Sequence, residues 1–208
     1  MSSSEPRQVS GCLQEGDTAL VLDAPGVPTE ALTFGDGPRA VILAHQAEQG
    51  PCAWDAYGRT LAERGYRVFI PSLTASPEDV MSAAVAWLGA AGVSEYAMVG
   101  ASMGGAYVLS TAGELNPAPS VVVAISSPAQ YNDIDALAGI RAITQPILLV
   151  AGTGDDDFAD QARRLAEAQP DSRVLLVESS AHGTALLATD TEVAAAVEAA
   201  LTAAIGND

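Results

Sequence analysis

Short, continuously apolar runs alternate with helical patterns along most of the chain, and no other feature limits its fold so tightly. Ala40-Val41-Ile42-Leu43-Ala44 has no polar face, as expected of a strand covered on both sides. Tyr66 to Ile70, Ser94 to Val99, Val121 to Ile125, Ile147 to Val150 and Val174 to Val177 read as further strands. Between the first two, Trp54 to Arg64 sets Trp54, Tyr57 and Leu61 about one turn apart and closes on Gly65. Ser76-Pro77-Glu78-Asp79 then opens a helix with a capping serine, a proline in the first turn and acid beside it. Val80, Ala84, Trp87 and Leu88 continue that helix on one side. Phe158, Ala162 and Leu165 mark another, and Val193, Val197 and Leu201 the last. This alternation predicts an α/β fold: one mainly parallel, twisted sheet with helices on both faces.

The beginning of the chain is different. Val9 to Leu13, Thr18 to Asp23 and Glu30 to Phe34 read as short strands joined by polar turns, an antiparallel edge of the same sheet. The expected organisation is one domain of 208 residues, with edge strands in 1–38 and the parallel core in 39–208. A formal charge of −17 repels phosphate backbones and anionic headgroups, so nucleic acid and membrane partners are not expected. A small neutral molecule suits such a surface better than a polyanion. Met1 to Arg7 has no apolar leader stretch, which points to the cytoplasm. Cys12 and Cys52 fit no metal spacing and are expected as free, partly buried thiols, or as a disulfide if the protein is exported. No metal and no cofactor is called for.

Gly100-Ala101-Ser102-Met103-Gly104 lies between an apolar strand and an apolar helix. A G-x-S-x-G in that setting forms a tight turn that lifts the serine hydroxyl beside the free N–H groups of the helix. Two further polar residues follow later strands: Asp155, in Ala151-Gly152-Thr153-Gly154-Asp155, and His182, in a loop of small residues. Serine, aspartate and histidine in this order, from about Ala40 to the C-terminus, resemble the α/β-hydrolase superfamily, specifically its small esterase and dienelactone-hydrolase-like members without a lid.

The resemblance implies a catalytic set of Ser102 as nucleophile, His182 as base and Asp155 as its partner, with Asp156 and Asp157 as adjacent rivals for the acid. It also implies an oxyanion hole from the Met103 N–H and from the loop His45 to Gly50, where Ala47 aligns with the donating position. Relatives commonly carry glycine where this chain has Gln46, so Gln46 is a further candidate donor, through its amide or its side chain. His45 is expected to support the loop without doing chemistry. A cap domain is excluded, because only about twenty residues separate the strands ending at Ile125 and starting at Ile147. Gln49, Trp54, Met103, Ser127, Gln130 and Tyr131 are candidates for the cleft wall. The expected activity is hydrolysis of a carboxylic ester or related acyl bond. A ligand- or partner-binding protein without catalysis, and lyase, cyclase or acyltransferase chemistry, are the alternatives.

Overall fold

The computed structural model describes residues 11–22 and 28–206. Its sheet has eight strands: β1 (Thr18–Leu22), β2 (Thr29–Phe34), β3 (Arg39–Ala44), β4 (Arg67–Pro71), β5 (Glu95–Ala101), β6 (Val122–Ile125), β7 (Ile147–Gly152) and β8 (Arg173–Val177). They run in the order β1-β2-β4-β3-β5-β6-β7-β8. β2 is antiparallel to both β1 and β4, and all pairings from β4 to β8 are parallel. The helices are α1 (Asp55–Glu63), α2 (Pro77–Ala90), α3 (Met103–Thr111), α4 (Ala136–Gly139), α5 (Phe158–Ala168), α6 (Thr184–Thr189) and α7 (Thr191–Ile205).

Neighbouring strand residues face opposite sides, and each side has its own core. Ile42, Phe69 and Met98 pack with Val80, Ala84, Leu88, Leu109 and Leu165 from α2, α3 and α5. Val41, Leu43, Val68 and Val99 pack with Trp54, Leu61, Val193, Val197 and Leu201 on the α1 and α7 side. Each large side chain removed from water here contributes about 1.5–3 kcal/mol, which explains why the central strands carry no polar face. The local signals also hold. Ser76 Oγ accepts the Asp79 N–H at the start of α2, and Gly65, at φ 86, ends α1 in the left-handed conformation open to glycine.

The N-terminal expectations are met in part. Val9, Ser10 and Asp23 lie outside the described residues, and Gly11 to Leu13 is not a strand. That stretch is instead strapped across α1. Arg59 reaches both Asp17, at 2.8 Å, and the carbonyl of Cys12, at 3.2 Å, with its guanidinium 4.9 Å from the centre of the Phe34 ring. Cys12 and Cys52 are joined as a disulfide, with Cα atoms 5.6 Å apart, so the expectation of free thiols is corrected. The strap carries Cys12 over the short 3₁₀ turn Pro51–Trp54, a proximity that spacing along the chain does not reveal. Between β6 and β7 lie only α4 and one further helical turn, Ile140–Ala142. Among the described residues, no helix is long and apolar enough to cross a membrane.

Candidate active site

Ser102 sits between β5 and α3 at φ 51 and ψ −118, a conformation that costs a non-glycine residue about 1–3 kcal/mol. The two glycines around it are required by contact. A Cβ on Gly100 would lie 2.2 Å from the Gly104 carbonyl oxygen, and one on Gly104 would lie 2.1 Å from that of Ala44. The second contact seats the start of α3 on the end of β3. It brings the Met103 N–H to the loop that follows His45. That loop turns through Glu48, at φ 65, and Gly50, at φ 65. Among the described residues, neither the Ala47 nor the Met103 N–H is used in a backbone turn. Ala47 and Met103 share a cavity of about 560 Å³ with Glu48, Gln49, Leu73 and Tyr131.

Asp155 follows β7 and is buried, at 5% exposure. Its carboxylate receives His182 Nδ1 at 3.0 Å on Oδ1 and 2.9 Å on Oδ2. Nδ1 therefore carries the proton, and Nε2 is the nitrogen left for a partner. Asp156 and Asp157 are exposed; Asp157 instead accepts a hydrogen bond from Gln161, one turn into α5. Gly152 allows this arrangement, because a Cβ there would meet the Ser179 carbonyl oxygen at 2.3 Å. The loop carrying His182 can thus cross directly over the acid turn. Beyond the ring, a Cβ on Gly183 would stand 3.5 Å from that of Ala101, next to Ser102. The structure thus joins His182 to Asp155 and brings the turn after His182 alongside the residue before Ser102. It shows no hydrogen bond between Ser102 and His182 among the described residues.

Two supports escaped the reading of the sequence. Ser126, fully buried at φ 48, donates to Asp155 Oδ2 at 2.7 Å and accepts the Gly183 N–H at 3.1 Å. Phe158 packs its ring on His182, with centroids 4.5 Å apart. Ser126 had a visible signal, a polar residue directly after a buried strand, whereas Phe158 read as ordinary helix core.

The remaining candidates separate cleanly. His45 is buried; its Nε2 accepts the Leu73 N–H at 3.1 Å, and its Nδ1 donates to the Gln46 carbonyl at 2.8 Å. Burial pushes its pKa down, against the opposing pull of the Gln46 carbonyl, so the ring is held neutral as a brace between two loops. The Gln46 side chain turns toward Thr184. Trp54 is fully buried in the core beside α1 and lines a groove with Tyr57, Thr184 and Leu187. Ser127 is buried, and Gln130 bonds to the Asn132 carbonyl. Among the described residues, no group of three or more His, Cys, Asp or Glu side chains is placed to hold a metal ion.

The strand order, the single antiparallel-paired edge and a serine turn directly after β5 together decide the architecture. The fold is that of the α/β-hydrolases. Among solved structures, the chain is similar to an esterase from Pyrococcus furiosus, with a TM-score of 0.74 and 16% identity over 91% of this chain and 93% of that one. It is also similar to the esterase domain of a Rhodothermus marinus protein, with a TM-score of 0.69 and 19% identity over 92% and 97% of the two chains. A dienelactone hydrolase from Anabaena variabilis gives a TM-score of 0.69 and 16% identity over 90% and 95%. No protein-family profile matches this α/β-hydrolase-fold chain, and no curated protein sequence does.

Proposed function

We propose that this chain is a serine hydrolase that cleaves a carboxylic ester or related acyl bond of a small neutral substrate through an acyl-enzyme. The observation that carries this reading is the seat of His182 Nδ1 on both oxygens of buried Asp155, at the rim where Ser102 stands at φ 51. Likeness to an esterase and a dienelactone hydrolase at the level of fold supports the reaction class.

The steps follow from the chemistry of the groups. Ser102 Oγ attacks the acyl carbon while His182 Nε2 takes its proton, and Asp155 stabilises the imidazolium. The N–H groups of Met103 and Ala47 receive the charge that develops on the carbonyl oxygen. His182 then protonates the leaving alcohol, and the acyl group remains on Ser102. Water, deprotonated by His182, attacks the ester so formed; the acid leaves and the serine regains its proton. The 560 Å³ cavity beside Met103 suits a small acyl group. Glu48 on its wall disfavours an anionic substrate.

The test is labelling by a fluorophosphonate, located by mass spectrometry. One adduct per chain on Ser102, absent in His182→Ala, is the expected result. A folded protein that stays unlabelled over hours defeats the reading. The location needs its own measurement: a cytoplasmic protein keeps its thiols reduced, whereas Cys12 and Cys52 are paired. Thiol trapping in intact cells distinguishes a reducing from an oxidising compartment.

A further inference from the structure

We infer that Gln46 is a positioning residue that fastens the base-carrying loop to the loop after β3 through its side-chain carbonyl. The inference rests on the acyl-transfer reading above. Gln46 Oε1 is met by two donors of one residue: the Thr184 N–H at 3.0 Å and the Thr184 hydroxyl at 3.1 Å. A backbone N–H can only donate, so it fixes the oxygen end of the amide toward Thr184.

Thr184 is the first residue of α6, where the N–H has no partner within the helix. Gln46 satisfies it from a loop 138 positions away in the chain. The contact reaches His182 through Gly183, whose φ is 57 and whose notional Cβ would lie 2.4 Å from Gln46 Oε1. The turn after His182 is thus held by Ser126 at the Gly183 N–H and by Gln46 one residue further on. The Gln46 carbonyl also accepts from His45 Nδ1, and His45 Nε2 accepts the Leu73 N–H. His45 and Gln46 together therefore link the loops after β3, β4 and β8. Beside the ties through Ser126 and Asp155, the glutamine supplies a further anchor for the β8 loop that a glycine would lack. Alignment of His182 with Ser102 depends on that loop, and a misplacement of about 1 Å lowers turnover on the order of 10²-fold.

Gln46→Met keeps the length of the side chain and removes the acceptor. Gln46→Glu keeps an acceptor oxygen and removes the amide donor. With p-nitrophenyl acetate as the probe, Gln46→Met should lower kcat on the order of 10²-fold with KM moved by less than about threefold. Gln46→Glu should recover most of that loss. A loss of kcat in both variants indicates a donor role, and no loss in either indicates a filler; each result overturns the inference. Amide exchange at Thr184 reads the same contact without substrate: slow in the native protein and in Gln46→Glu, fast in Gln46→Met. Equal exchange in all three overturns the latch, whereas a native protein that resists fluorophosphonate but shows the expected exchange pattern overturns only the acyl-transfer reading. Should Gln46→Met fail to fold, Gln46→Ala removes the same acceptor with less bulk, and a kcat and a Thr184 exchange rate equal to native then overturn the latch.

Discussion

Replacing Ser126 with alanine removes one oxygen, and the structure sets the cost. That hydroxyl is fully buried, donates to the Asp155 carboxylate at 2.7 Å and accepts the Gly183 N–H at 3.1 Å. A hydrogen bond to a charged group contributes about 1.5–3 kcal/mol, and a buried N–H left unpaired costs about 1–3 kcal/mol more. The lower part of the combined range gives about 3 kcal/mol. For a chain of this size that is a fall in Tm of roughly 6–12 °C. Asp155 and the turn after His182 lose the same anchor, so kcat should fall on the order of 10²-fold while KM changes little. Thermal unfolding followed by circular dichroism, and steady-state hydrolysis of p-nitrophenyl acetate, measure the two effects. A Ser126→Ala protein that melts with the native one and turns over at the native rate refutes the reasoning.

Asp155→Asn should remove most of kcat, on the order of 10⁴-fold as for loss of the carboxylate in serine proteases, whereas Asp157→Asn should stay within about twofold; the reverse in steady-state assays transfers the acid role. Reducing the disulfide releases a loop with a sequence separation of 40, for which chain entropy gives about 4 kcal/mol at most. Urea unfolding with and without dithiothreitol should therefore differ by about 2–4 kcal/mol, and coincident curves contradict the estimate. The hydrogen bond from Arg59 holds the Asp17 pKa below its usual 3.8, outweighing the opposite effect of burial. A group depressed in this way stabilises the fold above its unfolded pKa, and that contribution is lost as pH falls through the folded value. Asp17→Asn should accordingly lower stability at neutral pH and flatten its decline below about pH 4, measured by urea midpoints.

The parallel core was legible because its information is local. Val41, Leu43 and Val99 announce a strand buried on both faces by having no polar neighbour in the run, and Ser76 with Pro77 announces a helix start within four residues. The strap was not legible, because Arg59, Cys12, Asp17 and Cys52 are brought together by tertiary contact and carry no pattern of spacing. Val9 to Leu13 resembled a strand through its alternation alone. What decides the conformation of its described part is the disulfide and the guanidinium of Arg59.

The site divides along the same line. Ser102 is set by glycines two residues to either side, and Asp155 by Gly152 three residues before it, so both could be read from short motifs. Gly152 shows why the spacing matters: its missing Cβ is the gap through which the Ser179 carbonyl passes. His182 has no comparable motif, and its loop is held by groups from other strands. Ser126 follows β6, Asp155 follows β7 and Gln46 follows β3, and each meets that loop through a single side-chain oxygen or carboxylate. A glutamine where relatives carry glycine reads, on sequence, as a replacement within the oxyanion loop. In space its carbonyl end meets Thr184, where a helix N–H without an intrahelical partner takes it as acceptor. The direction of a long polar side chain is decided by the strongest unsatisfied partner within its radius, and that partner lay 138 residues away.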